Sequence, residues 1–324
     1  MVGRIERSDY SPAIGYLRPF RISSKVLTIL YQGFIGHVNE EIARAVVQQV
    51  NNTLATGEAD MVVFHHLCES SSLFQALQTA MDSSRGLTSG WSAHWDMDIG
   101  ENPGFVVKKL RGKHRSWLRG RQKQLELAFL GKVSWRWISH CEDIPELCAK
   151  LERVAINTYQ RGLGVGFVDD EEHRRRLSLF ESRGQLRVLA LNIEEEFRAF
   201  WTGLVYKGVF HSAETGYDTD LKGYEPGTLV FLRMLDELAN EGIQKLDFGL
   251  GDAAYKRRFG DRSWREATVH MFASTPKGSA LRLYFEVCAL IDGFARRILE
   301  KTGRTDKVKA YWRRHLIQTP RQRG

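Results

Sequence analysis

Apolar positions along the chain recur with two periods. β-Branched runs at Lys25 to Tyr31 (KVLTILY) and Asp60 to His65 (DMVVFH) read as strands. Between them Ile42, Val46 and Val50 fall on one face of a helix from about Asn39 to Thr56, and a second helix follows over Ser72 to Met81. Trp91 to Ile99 alternates weakly, and Glu101-Asn102-Pro103-Gly104 marks a boundary. The pattern then predicts one helix over Lys108 to Leu130, a strand at Val133 to Ser139, and helices over Asp143 to Tyr159 and Asp169 to Glu181. From Leu186 it becomes a meander: Leu186 to Ile193, Phe197 to Tyr206 and Val209 to Tyr217, with a two-residue hairpin at Lys207-Gly208. A helix starting at Pro226 runs to Asn240 and stops at Glu241-Gly242; a strand at Gln244 to Phe248 and a short helix from Asp252 to Phe259 follow. Antiparallel strands, a helix, a further strand and a short helix in that order exclude a purely parallel sheet.

Composition narrows the class. A chain of 324 residues with 43% apolar content can bury one large core or two smaller ones. Its four cysteines (Cys68, Cys141, Cys148, Cys288) show no C-x-x-C spacing and no secretory leader precedes them, so reduced thiols and a cytoplasmic location are expected. No apolar run is long enough to span a membrane, since Ala280 to Ala295 is broken by Arg282, Glu286 and Asp292. His65, His66 and His94 lack metal-ligand spacing, and no metal is expected. The net charge of +8 is carried by the segment from Arg296 to Gly324, which offers either a solvated terminus or a surface for RNA or lipid headgroups. Arg111, Arg115, Arg119 and Lys123 recur every four residues and repel one another by a few tenths of a kcal/mol per pair. A solvated face or contact with phosphates would relieve that repulsion. The stretch LDFGLGDAAYK, Leu246 to Lys256, fits G-x-G-x-x-A, but Asp252 would repel a diphosphate and the following helix is too short for a dinucleotide-binding crossover.

Several motifs in order carry more information than any one of them. Gly216-Tyr217-Asp218, Glu225-Pro226-Gly227 at a helix start, and Leu246-Asp247-Phe248-Gly249-Leu250-Gly251-Asp252 with Tyr255-Lys256 and Phe259 resemble the G-Y-D, S-P-G and D-F-x-x-G-x-x-x-Y-K series of GNAT-superfamily acyltransferases of the cellulose-biosynthesis (CelD/BcsL) type. The basic segment Lys113 to Glu126 is similar to that family's K/R-rich stretch, and the family in turn resembles the Fem-type aminoacyl transferases, which carry two GNAT-like halves. The resemblance implies an α/β (α+β) fold: a GNAT-like mixed, mainly antiparallel sheet flanked by helices, whose central strands, Val209 to Tyr217 and Gln244 to Phe248, splay apart around the donor. It divides the chain into a partial N-terminal GNAT-like half (1–104), an acyltransferase domain (105–276) and a C-terminal amphipathic helix with a basic tail (277–324). It implies acetyl-CoA or another acyl-CoA as co-substrate, with the pyrophosphate over Pro226, Gly227 and Thr228. Two departures stand out: Glu225 replaces the family's Ser, and the Q/R-x-x-G-x-G/A loop of acetyl-CoA users is absent.

Direct acyl transfer requires a base, donors for the oxyanion and an acid for the leaving group. The resemblance gives Tyr255 the role of acid, with a core tyrosine as the alternative. For the base, His211 and Glu214 lie three residues apart on one strand and are expected on opposite faces, with Glu214 the better placed and His211 left to bind substrate. Asp247, inside an apolar strand, needs a partner and is assigned to orienting Tyr255 or Lys256 or to holding the acceptor. Lys256 is expected to pair with Asp247, Asp252 or a substrate anion. Tyr217, Asp218, Arg115 and Arg119 complete the expected substrate contacts. The expected activity is an N- or O-acyltransferase acting on a small-molecule or saccharide acceptor, in polysaccharide or cell-envelope metabolism. Two alternatives stand beside it: a Fem-like transferase whose donor is aminoacyl-tRNA, and a non-catalytic module that binds RNA or a membrane surface through the tail.

Overall fold

A computed structural model describes residues 2–301 apart from 11, 13, 15–19, 30, 32, 35, 82–84, 159–160 and 162–165. The basic segment beyond Lys301 lies outside the described residues. The chain divides into two compact units, the first built from residues 2–94, 250–252 and 263–301, the second from 95–249 and 253–262.

In the first unit the strand order is β1 (Gly3–Tyr10), β2 (Ile22–Ile29), β3 (Met61–Cys68), β10 (Arg262–Phe272) and β4 (Gly86–Asp98). Helix α1 (Glu40–Ala55) starts at Asn39, whose side chain accepts the Ile42 N–H, and α2 (Ser72–Ala80) starts at Ser71, which caps Phe74 in the same way. Both pack on one face of the strands, where Val47, Val50, Leu54, Leu73 and Leu77 meet Val62, Phe64 and Val269. Leu281 and Phe285 of α9 (Pro276–Lys301) cover Val26, Met61, Val63 and Phe272 on the other face. Strands β1 and β10 carry no clear period in the sequence, and both are real. The second half of β10 is buried on every residue, so its run of side chains has no alternation to read.

In the second unit the order is β9 (Lys245–Leu250), β8 (Val209–Tyr217), β7 (Glu196–Tyr206), β6 (Leu186–Ile193) and β5 (Val133–Ile138), with the last residues of β4 beside β9. Strands β5 to β8 pair antiparallel, while β8 and β9 run parallel, so the sheet is mixed, mainly antiparallel, and flanked by helices. The Lys207-Gly208 hairpin forms as expected, both residues left-handed (φ 49° and 75°) as a tight primed turn demands. Helices α5 (Ile144–Ala155) and α6 (Glu171–Ser182) bury Leu147, Leu151 and Leu177 against Val188, Ala190 and Phe200 on one face. On the other, α7 (Pro226–Asn240) buries Val230, Phe231, Met234 and Leu238 against Leu189, Trp201, Phe210 and Phe248. Each such side chain contributes about 1.5–3 kcal/mol through burial. The single helix expected over Lys108 to Leu130 is instead two, α3 (Phe105–Lys109) and α4 (Gly112–Ala128), because Leu110 and Arg111 are extended (ψ 148° and 145°). Arg262 forks onto Asp96 and Asp98 and holds the Asp98 carboxyl below the usual carboxylate range.

Candidate active site

The site grows from two departures from regular pairing along β8. On the β7 side, Trp201 pairs with Thr215 and Gly203 with Ser212, so Ala213 and Glu214 together stand opposite Thr202 in a bulge. The Thr202 hydroxyl accepts the Glu214 N–H at 3.0 Å and lies 2.9 Å from its Oε2. The inserted residue reverses the expected parity. Ser212 and Thr215, three apart, share a face, and so do His211 and Glu214, which the plain period of a strand puts on opposite faces.

On the β9 side, β8 pairs through Val209↔Lys245, Phe210↔Leu246 and His211↔Asp247, and there the pairing stops although both strands continue. The two segments therefore part in a wedge with His211 and Asp247 at its apex. His211 Nδ1 lies 3.2 Å from Asp247 Oδ2, and the Gly249 N–H donates to Asp247 Oδ1 at 2.7 Å. Gly249 makes that second bond with φ +67°, a conformation that side chains resist, and Gly251 has φ +98°. The two glycines of the LDFGLGD stretch thus serve the departure of β9 from the sheet. His211 keeps 40% of its side chain exposed and Asp247 20%, so the imidazole is reachable from solvent.

The other face of the wedge is aromatic. The Tyr255 ring, on α8 (Ala254–Phe259), stands edge-on to Trp201 and Phe248 at 5.8 Å, and Trp201 Nε1 donates to Ser212 Oγ at 2.8 Å. Lys256 is 6% exposed and its ammonium donates to the carbonyl oxygens of Phe248 and Gly249, at 2.8 and 3.1 Å. That placement satisfies backbone acceptors of β9 where it departs from β8.

The remaining expected residues are distributed around this centre. Glu214, with 12% of its side chain exposed, is ion-paired to Arg176. Asp218 pairs with Arg198 at 2.9 Å and caps the 3-10 turn Thr219–Tyr224 through the Asp220 N–H. At the start of α7, Pro226 occupies the first turn and the Glu225 carbonyl accepts both the Thr228 and Leu229 N–H groups, which closes the turn on itself. A Cβ on Gly227 would rest against the Tyr217 ring at 3.4 Å. Arg115 and Arg119 line a small cavity of about 150 Å³ with Gln122, Trp135, Arg233 and Asp236. Among the described residues no group of His, Cys, Asp or Glu is arranged to hold a metal, and no helix is long and apolar enough to cross a membrane. The pairing of His211 with Asp247 joins residues 36 apart in sequence, and Arg176 and Thr202 enter the site with no motif to announce them.

Comparisons with known proteins agree with this geometry. The Acetyltransferase (GNAT) domain family matches residues 112–257, and no curated protein matches the chain. Among solved structures, FemX is similar with a TM-score of 0.52 at 9% identity, covering 83% of this chain and 85% of its own. The L-PGS of Bacillus licheniformis is similar at 0.50 and 14% identity, with 90% and 89% covered. The C-terminal domain of a putative lysylphosphatidylglycerol synthetase from Agrobacterium fabrum is similar at 0.50 and 12% identity, with 88% of each chain covered. At such identities the likeness is one of fold. The match over residues 112–257 and the likeness of these structures thus agree on a GNAT-like fold.

Proposed function

We propose that the second unit transfers an acyl group directly from a thioester or ester donor to an amine or hydroxyl acceptor, with His211 as the base. The observation that carries this reading is the end of β8–β9 pairing at His211↔Asp247, which opens the sheet beside a half-buried imidazole. Asp247, held by the Gly249 N–H, accepts from Nδ1 of His211 and leaves Nε2 to take a proton. The acceptor's lone pair attacks the donor carbonyl as its proton passes to Nε2; the tetrahedral adduct then collapses, the bond to the leaving sulfur or oxygen breaks, and that atom takes the Tyr255 phenol proton. Neighbouring residues of a strand alternate, so Asp247 and Phe248 point to opposite faces, and base and acid approach the wedge from its two sides.

Acyl-CoA is the first donor. Pro226, Gly227 and Thr228 would hold its diphosphate, although the Thr228 N–H already donates to Glu225, leaving Gly227 as the nearer backbone donor. Tyr217 and Asp218 would flank the acceptor side, and the CelD/BcsL resemblance puts saccharides of polysaccharide or cell-envelope metabolism first among the acceptors to test. A second reading keeps the chemistry and takes aminoacyl-tRNA as donor, as the Fem and lysylphosphatidylglycerol synthetase relatives in fold bring to mind. The row Arg115, Arg119 and Lys123 would then meet phosphates, and binding would weaken steeply with salt.

The test is transfer from a panel of acyl-CoA and charged-tRNA donors. His211→Gln and Asp247→Asn should each lower kcat by about 10²–10⁴ while the fold is retained. An unchanged kcat in His211→Gln would remove the assignment of the base.

A further inference from the structure

The first unit has a parallel strand pair of its own. Strands β2 and β3 pair from Val26↔Met61 to Ile29↔Phe64, after which β3 runs on to Cys68. The element order β1-β2-α1-β3-α2-β4 repeats that of β7-β8-α7-β9-α8-β10, and in both the later strand of the parallel pair runs on beyond the pairing. Beyond it lies a cavity of about 380 Å³, lined on its apolar side by Ile29, Phe34, Val38, Phe64 and Leu73. That volume is within the ~300–1,000 Å³ of small-molecule sites.

Its polar wall is unusual. Glu266 of β10 is 3% exposed. Its Oε1 accepts from Trp264 Nε1 at 2.7 Å and lies 2.9 Å from His94 Nδ1 and 3.4 Å from the Tyr31 hydroxyl, whereas Oε2, equally buried, has no partner among the described residues. A buried carboxylate oxygen left without a donor bears its desolvation penalty uncompensated. A bulge between β3 and β10, where Phe64 to Leu67 spans Val269 to Ala267, turns His66 to a left-handed conformation (φ 53°), and its Nδ1 is also buried without a partner. The Tyr31 ring meets His66 edge-on at 5.8 Å, and Trp264 stacks on His94 at 4.4 Å, so aromatic rings surround the carboxylate. Burial pushes His65 and His66 below the ordinary imidazole value, and both are neutral near pH 7, leaving the space around Oε2 without a competing histidine cation from that pair.

We propose that this cavity is a second ligand site, which binds a small molecule with an apolar body and a protonated amine, the amine donating to Glu266 Oε2 within the aromatic rim. Apolar walls, an uncompensated buried acceptor and aromatic faces are the three features that amine recognition requires.

The experiment titrates the full chain with 2-phenylethylamine and with 2-phenylethanol, its neutral analogue, following ligand NMR and the melting temperature. The amine should bind at least ~10-fold more tightly than the alcohol. Glu266→Gln should abolish that preference, and Leu73→Trp, which fills the apolar end, should remove binding of both. Absence of saturable amine binding by ~10 mM, equal binding of amine and alcohol, or binding undiminished in Leu73→Trp would each overturn the proposal. If Glu266→Gln fails to fold, the amine-to-alcohol ratio and Leu73→Trp decide it alone. Transfer activity is not the readout, so failure here leaves the role of His211 untouched.

Discussion

Two carboxylates near the wedge differ by what holds them. Asp247 receives one backbone N–H and stands against a half-buried imidazole, an arrangement that orients a base. Glu214 is closed in by Arg176 and Thr202 with 12% of its side chain exposed, an arrangement that ties β8 to α6. Glu214→Gln is accordingly expected to lower unfolding free energy by about 1–2 kcal/mol, since Arg176 is itself partly solvated, and to change kcat less than threefold. Denaturant titration beside steady-state kinetics measures both; a large loss of kcat at unchanged stability would return the base to Glu214. Lys256 teaches the same lesson from the basic side. Its ammonium meets the carbonyl oxygens of Phe248 and Gly249, contacts that nothing in the sequence announces.

At the scale of elements, pattern reading fared best where local rules act alone. Pro226 opens α7 and Asn240 ends it where expected, and β6 and β8 have the expected limits, because a preset proline φ and a buried strand period are properties of a few consecutive residues. The break between α3 and α4 escaped because neither Leu110 nor Arg111, the residues that interrupt the helix, is a glycine, a proline or a side chain that caps. The bulge at Ala213-Glu214 escaped for a related reason: neither residue is glycine, and the extra residue is defined by its partner strand. Helix α7 also supports a prediction about the donor. Its first turn is closed by the Glu225 carbonyl, with Gly227 next to Tyr217. Gly227→Asp adds a carboxylate where a phosphate would approach and should weaken CoA binding about tenfold or more by calorimetry, while tRNA binding through α4 stays within about twofold. Undiminished CoA affinity would move the diphosphate elsewhere.

For the molecule as a whole, stability rests on separate cores in the two units, and one buried imidazole ties that stability to pH. His270 of β10 is 4% exposed and packs on Phe272 and Phe285. Burial pushes its pKa from 6.5 to about 4. Between those values the unfolded chain binds a proton that the folded chain refuses, so stability is full above about pH 6.5 and falls as pH drops toward 4. The loss approaches about 3 kcal/mol. His270→Leu should flatten the dependence of unfolding free energy across this window, measured by denaturant titration at several pH values; an unchanged slope would place the acid sensitivity in other groups.

The sequence by itself determined the local elements, the ordered Gly216-to-Phe259 motifs and most of the side chains that surround the candidate site, since each follows from spacing, turn chemistry and propensity over short stretches. Only the tertiary structure decided which of those side chains meet. A bulge set by β7 placed His211 and Glu214 on one face, and the end of β8–β9 pairing brought His211 to Asp247. Another bulge, between β3 and β10, set His66 beside a buried Glu266 some 200 residues away. The physical reason is that strand register and its interruptions are fixed by pairing across the sheet, and the chain carries no local record of a partner so distant in sequence.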